Sequence, residues 1–573
     1  MENEKVFTKR KFGIIDIVIF AFITIILYLI MSPGMHAQTS GTTNIKISTS
    51  LGMLPIYALK SVLRMTAAYA ISISFTLVYG YVAAHNKKAE KILIPILDIL
   101  QSIPVLSFLP AVVMGLIAIF PNGTIGIEIA SIILIFTGQA WNMTVSFYNS
   151  IKLLPTDLKE ASSILQLNKW QQFKKLELPS AAIGLVWNSM MSWAGGWFFL
   201  MVCEMFTIKG RNFRLEGIGS FLQTAANEGN TKALVWGIIT LVLVIILLDQ
   251  LIWRPVTAWA DKFKVELTES EEQPRPFFLK MLRRSFIIQL FMEKVISPIL
   301  MFALKTIEKV VYRFKKNDEV KHKKLGMTFK IIIKFIALIV IIYAAFNIIK
   351  LLRTLSLYDW GKIPQAALFS FLRVFAAQII ALIWTVPVGV AIGMNKKVAN
   401  ILQPVIQVVA SVPATALFPI VLGVMINAFG GLGIASILLM LMGTQWYILF
   451  NVVAGAMAIP EDLKAAAKVF GIKGFKKWKI LILPGIFPYL ITGMITATGG
   501  CWNASIVSEY VNFGGHTVKT VGLGALISEA TTKGNFALLL MGTITMSILV
   551  VAINKIVWKR LFVMSEERFK IEL

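Results

Sequence analysis

The sequence predicts an all-α polytopic membrane protein made of two tandem six-helix halves in parallel repeat, about twelve membrane-spanning helices in all. Three observations carry this. Apolar runs of about 18 residues or more recur along the chain, the length a helix needs to cross a bilayer. Backbone groups in lipid must be satisfied within each segment, so runs of this length mean helices rather than a barrel. The chain is 57% hydrophobic and only 15% charged, against about a quarter charged in ordinary globular domains. Finally, the second half repeats the first, motif by motif, at a nearly constant offset.

The first half (1–253) places spans near 12–32, 58–84, 92–118, 124–149, 179–206 and 233–253. The opening MENEKVFTKRK and its apolar run resemble a signal peptide, but the run is long and a cleavage signal near Met35–Gln38 is weak, so it reads as a retained first span. The second half (329–573) places spans near 329–351, 368–394, 401–426, 433–456, 484–508 and 538–560. Between them, a linker (254–328) carries Glu266, Glu269, Glu271 and Glu272, then a basic amphipathic stretch. Glu293, Lys294 and Pro298 interrupt its apolar part, and one extra span there would invert the second half. A cytoplasmic helix lying on the membrane surface is therefore expected, with a re-entrant hairpin as the alternative.

Charge sets the orientation. A net charge of +26 would suggest nucleic acid in a soluble chain; here Lys and Arg serve cytoplasmic loops beside anionic lipid. With a cytoplasmic N-terminus, Lys87, Lys88, Lys91, Lys159, Lys169, Lys174 and Lys175 fall inside, while the loops near 33–57 and 119–123 hold only Lys46. The loop near 207–232 is the exception. It places Lys209, Arg211, Arg214 and Lys232 outside, where they are candidates for docking or for facing substrate. The only cysteines, Cys203 and Cys501, lie in apolar runs and form no metal or disulfide pattern.

The repeat is explicit. Asn86-Lys87-Lys88 matches Asn395-Lys396-Lys397, and Ser102-x-Pro104 matches Ser411-x-Pro413. Further on, Gly138 and Trp141 match Gly443 and Trp446, Glu204 matches Glu509, and Gly217-x-Gly219 matches Gly522-x-Gly524. An even number of spans in each half inserts both copies the same way up, related by an axis along the membrane normal.

Two polar loops stand out, 155–179 and 460–484. Both open with Pro, carry Asp-Leu-Lys two residues later and close on Leu-Pro, at one offset (460 − 155 = 305). Proline suits a first helical position and acidic residues favour a helix N-terminus, so each loop reads as a short cytoplasmic helix along the membrane surface. Gly471 is a natural stop for the second. The Glu-Ala-Ala…Gly…Leu-Pro pattern resembles the signature of importer permeases of the ATP-binding cassette class. The Ser-x-Pro, Gly-x-x-Trp and Glu…Gly-x-Gly motifs resemble its nitrate/sulfonate/taurine branch. That resemblance implies that Asp157, Leu158, Glu160, Ala161, Gln166, Asp462, Leu463, Ala465, Ala466 and Gly471 form two coupling helices against ATPase subunits. The copies depart differently from the pattern: Gln166 stands where Gly is expected, and Ala465 where Glu is expected. Either the two ATPase contacts are unequal, or the partner ATPases form a heterodimer, or the pattern has drifted in a fused pair.

Polar residues inside spans are the pathway candidates, because lipid disfavours them. They are Ser102, Asn142, Asn188, Glu204, Ser411, Gln445, Asn503 and Glu509. Ser102 and Ser411 precede prolines, where a broken helix could aim free N–H groups at an anion. Glu204 and Glu509 are either gate residues or structural carboxylates bonded to loop backbone or to Arg64 and Arg373. Trp197 and Trp502 read as packing aromatics.

The chain lacks a Gly-x-x-x-x-Gly-Lys-Ser/Thr loop, so it is not itself the ATPase. The resemblance implies a non-enzymatic permease with no cofactor of its own. ATP would be used by two partner ATPases, and an extracytoplasmic binding protein would deliver a small anion. The alternative is a secondary transporter driven by an ion gradient, which would need a coupling carboxylate near the midplane.

Overall fold

The computed structural model describes residues 45–120, 124–152, 154–260, 327–429, 431–513 and 516–569, with scattered positions from 21 to 29. Nearly all of the expected span 12–32 and most of the linker lie outside the described residues. The rest is mostly helical. Seven helices are long and apolar enough to cross a membrane, and two bent pairs bring the number to nine among the described residues. Leu178–Cys203 and Met327–Leu352 add two further long helices. The architecture is consistent with about twelve spans.

Each half uses the same packing order. Leu54–His85 packs on Ile125–Lys152, which packs on Leu178–Cys203; Leu357–Gly393, Leu432–Ala458 and Leu483–Ser508 repeat this. Close approach depends on small residues, as is general where helices meet in lipid. A Cβ at Gly393 would lie 2.6 Å from the Val453 carbonyl oxygen, so those two helices touch backbone to backbone. Trp197 and Trp502 are wholly buried in one core that runs across both halves.

The expected spans 92–118 and 401–426 are each two helices rather than one. Lys87–Ser102 turns into Val105–Ile119 through 99°, and the second copy bends by 74° at Val412-Pro413. Proline lacks the N–H that would continue the ladder and forces the preceding residue to extend; Ile103 (φ −81, ψ 122) and Val412 (φ −70, ψ 117) are both extended. The first arm of each pair starts on an asparagine cap. The Asn86 side chain accepts the N–H groups of Lys88 and Ala89, and the Asn395 side chain those of Lys397 and Val398.

The all-α expectation needs one further correction. After each fifth span comes a two-stranded hairpin: β1 (Met205–Ile208) with β2 (Arg211–Arg214), and β3 (Tyr510–Phe513) with β4 (His516–Lys519). A short helix follows each hairpin, Ile218–Asn227 and Leu523–Lys533. Four single π-turns also repeat: Phe173–Glu177 and Trp478–Ile482 enter the fifth spans, and Asp249–Trp253 and Asn554–Trp558 leave the sixth.

Candidate functional site

The hairpins lie at one end of the fifth spans and the polar loops at the other. At the hairpin end, Glu204 and Glu509 cap the C-termini of Leu178–Cys203 and Leu483–Ser508, and both are 0% exposed. A buried carboxylate is costly unless paired and hydrogen-bonded, and each is both. Glu204 accepts from Arg64 Nη1 (2.5 Å), Ser61 Oγ (2.6 Å) and the Gly219 N–H (2.6 Å). Glu509 accepts from Arg373 Nη1 (3.1 Å), Ser370 Oγ (2.7 Å) and the Gly524 N–H (2.9 Å).

This geometry explains the Glu…Gly-x-Gly spacing. The second glycine donates to the carboxylate. At the first, Gly217 or Gly522, a Cβ would overlap that same carboxylate. Ser61 and Ser370, which drew no attention in the sequence, also accept the Ile218 and Leu523 N–H groups. The two networks are not identical. Arg64 additionally grips Glu128 with two bonds, 2.7 and 2.8 Å, whereas Arg373 turns to the Val521 carbonyl and Thr520 Oγ1.

Between the halves at the hairpin end lies a cavity of about 580 Å³. Both hairpins line it, with the starts of the helices that follow the two breaks. Its walls are mixed: Leu109, Met201, Met205, Phe418 and Ile506 give an apolar part, and Asn212, Gln223, Asn227, Thr415, Thr517 and Ser528 a polar one. Arg214 is the only charged residue among the described lining residues. The first hairpin crosses to the other half: the Lys209 N–H donates to the Thr531 carbonyl (3.1 Å) and the Gly210 N–H to that of Thr532 (2.8 Å). Lys209 takes a positive φ of 52 at this turn.

None of the eight in-span polar candidates lines this cavity. Glu204 and Glu509 stand behind its wall. Ser102 closes the helix before the Ile103-Pro104 break. Ser411 bonds its own helix at the Gln407 carbonyl, and Asn188 does so at Gly184. Asn142 is exposed and Gln445 half-buried. Asn503 does meet a broken helix: its Oδ1 accepts the Leu106 N–H of the other half at 3.4 Å. A protein amide thus occupies one N–H group at that break. Another tie between the halves, from Gln407 Nε2 to Asp249 Oδ1 (3.0 Å), gave no signal in the sequence.

At the opposite end, each polar loop holds a nine-residue helix, Thr156–Ile164 and Glu461–Val469. Both end in the same hydrogen-bonded cap. The Leu167 N–H reaches the Ser162 carbonyl and the Gln166 N–H that of Ser163; Ile472 and Gly471 repeat this on Ala467 and Lys468. That cap requires a left-handed residue. Gly471 supplies it at φ 63 and Gln166 at φ 50. Ser162 and Ala467 face inward. Asp157, Leu158, Glu160, Ala161 and Gln166 are exposed, as are Asp462, Leu463, Ala465 and Gly471, while Ala466 is half-buried. The tips present Ile164, Leu165, Val469 and Phe470 to solvent.

Comparison with known proteins matches residues 76–252 and 385–563 to the family described as the binding-protein-dependent transport system inner membrane component. A nitrate import permease protein of Leptolyngbya laminosa is 28% identical over 199 residues, 35% of this chain and 67% of that protein. A bicarbonate transport system permease protein of Synechococcus elongatus is 32% identical over 161 residues, 28% of this chain and 55% of that protein. A taurine transport system permease protein of Escherichia coli is 28% identical over 161 residues, 28% of this chain and 55% of that protein. The matched stretches thus span about half to two thirds of these relatives' own lengths.

Proposed function

The chain belongs to the family of binding-protein-dependent transport system inner membrane components, and on that premise we propose that its two halves form the pathway of an ATP-driven importer of small anions. It is a multi-pass inner-membrane protein carrying the permease domain twice. Two partner ATPases bind and hydrolyse ATP, and the chain contributes no cofactor. Thr156–Ile164 and Glu461–Val469 seat in those ATPases as coupling helices. With this face and both termini in the cytoplasm, the cavity at the hairpin end opens outward to a binding protein. Nitrate, bicarbonate and taurine, the cargo in the relatives' names, support this substrate class.

The observation that carries the reading is the pair of short helices. They recur at one offset, end in the same cap and expose apolar side chains such as Phe470, which is 78% accessible. Exposed apolar groups on a polar surface mark a docking site. The π-turns Phe173–Glu177 and Trp478–Ile482 connect these loops directly to the fifth spans, so a push on the short helices reaches the helices that end at Glu204 and Glu509. An ion-gradient mechanism finds less support, because the buried carboxylates Glu204 and Glu509 pair with Arg64 and Arg373, Asp249 lies beside Arg254 and Glu177 beside His85.

Co-purification tests the proposal. The wild-type chain is expected to retain its ATPases through affinity purification from membranes. Leu463→Asp and Phe470→Asp should release them while the chain stays monodisperse. Full retention of ATPases by both variants would defeat the coupling-helix assignment.

A further inference from the structure

Arg214 ends β2, and its side chain lines the cavity between the halves. Its Nε is a buried polar atom without a hydrogen-bond partner among the described residues, and so is Thr415 Oγ1, which lines the same cavity from the other half. A buried donor left without a partner is costly, more so on a charged group. Such orphans are rare and call for an explanation.

The repeat shows that the orphan is specific to one half. Lys519 holds the position equivalent to Arg214, and it pairs with Glu529 at 2.9 Å. Burial works against the charge on Glu529, but hydrogen bonds from Lys533 and Lys519 prevail and hold its carboxyl below the usual range. Thr224 occupies the first-half position equivalent to Glu529. Lys519 is therefore neutralised within its own half, whereas Arg214 has no ion pair among the described residues. No Asp or Glu stands among the described lining residues to replace the missing carboxylate.

The remaining walls narrow the ligand. A cavity of about 580 Å³ falls in the range that holds a small organic molecule, roughly 300–1,000 Å³. A bare inorganic anion at Arg214 would fill a small part of it; Asn212, Gln223 and Ser528 give the rest a polar side, and Leu109, Met201, Phe418 and Ile506 an apolar one that an organic body would cover. A guanidinium fork suits a carboxylate or sulfonate head with two parallel bonds.

We propose that this cavity is a binding chamber for an organic monoanion, whose oxyanion head sits on Arg214 with Thr415 as a second donor and whose aliphatic body lies against the apolar wall. The inference rests on the import reading and deepens it. The chamber is built into one side of a duplicated frame: the first hairpin supplies the charge, and the second half supplies hydroxyls, Thr415 among them, and part of the apolar surface. The Lys209 and Gly210 bonds to Thr531 and Thr532 hold that hairpin across the opening, so Arg214 is presented from a fixed strand.

Thermal unfolding of the purified full chain in detergent tests this without its partners. The probes are butanesulfonate, nitrate and butylammonium at matched millimolar concentration and ionic strength. A ligand that binds only the folded state raises the midpoint. Butanesulfonate is expected to raise it by about 2 °C or more, with nitrate and butylammonium having no such effect. Arg214→Gln should abolish the shift measured against its own baseline, and Arg214→Lys should retain part of it. Thr224→Glu, which installs the counter-ion of the second half, should abolish it too, whereas Lys519→Gln should keep it. The proposal is overturned by an equal shift in Arg214→Gln, by an equal shift from butylammonium, or by no shift in the wild type. An equal shift from nitrate overturns the organic class. The import reading is decided separately, by ATPase co-purification.

Discussion

Gln166 and Gly471 occupy the same left-handed cap, 305 positions apart (471 − 166 = 305), at φ 50 and φ 63. Left-handed backbone costs a non-glycine residue roughly 1–2 kcal/mol, and glycine offsets part of that by its larger unfolded-state entropy. Gln166→Gly is therefore expected to stabilise the chain by about 0.5–1 kcal/mol. Gly471→Val should cost about 1–2 kcal/mol, since a β-branched residue is least tolerant there. Thermal midpoints of the two purified variants check both signs. A destabilised Gln166→Gly would show that the glutamine side chain is needed at the cap.

The buried carboxylates make a prediction about asymmetry. Removing one partner of a buried ion pair costs about 3–5 kcal/mol, because a charge is left uncompensated. In Glu204→Gln, Arg64 keeps Glu128 at 2.7 Å; in Glu509→Gln, Arg373 keeps the Val521 carbonyl, Thr520 and the face of Phe369, with no second carboxylate among the described residues. Glu509→Gln should thus be the more destabilising of the two. Chemical unfolding of both variants in one detergent decides it, and equal losses would count against Arg64 serving two carboxylates.

The first glycine of each Gly-x-Gly is a third test. A methyl group at Gly217 or Gly522 must displace a carboxylate that already has an arginine, a serine and an N–H group around it. Gly217→Ala and Gly522→Ala should each cost about 1–3 kcal/mol. At Gly361, where a Cβ meets nothing, alanine should cost nothing measurable or help slightly. The same unfolding assay compares the three.

Much of this was legible in the sequence, for identifiable reasons. Helices in lipid announce themselves by length, and duplication by a repeated offset, so most of the described long helices and the two short loop helices fall where the sequence places them. The Ile103-Pro104 and Val412-Pro413 breaks were half visible: the prolines marked where a helix could break, but apolar residues continue on both sides of each turn, so each pair reads as one span. The hairpins were hidden because four-residue strands such as Met205–Ile208 carry too short an alternation to register. The networks of Glu204 and Glu509 were half visible. Their arginines and glycines sit in matched positions, but Ser61 and Ser370 are ordinary serines in apolar helices until the fold brings them to a carboxylate. Arg214 was marked only by standing on the wrong side for its charge; its missing counter-ion becomes evident when Thr224 is set beside Glu529.

The central claim, that the two short helices engage ATPases, is tested most directly by site-specific cross-linking. The native Cys203 and Cys501 are both buried, which leaves a quiet background for single cysteines at Ile164 and Val469, 81% and 83% exposed. With a short thiol-reactive cross-linker in native membranes, both positions should join the chain to an ATPase subunit, and a cysteine at Arg211, on the hairpin end, should not. Labelling of 164 and 469 from the extracytoplasmic side, with no ATPase adduct at either, would contradict the account.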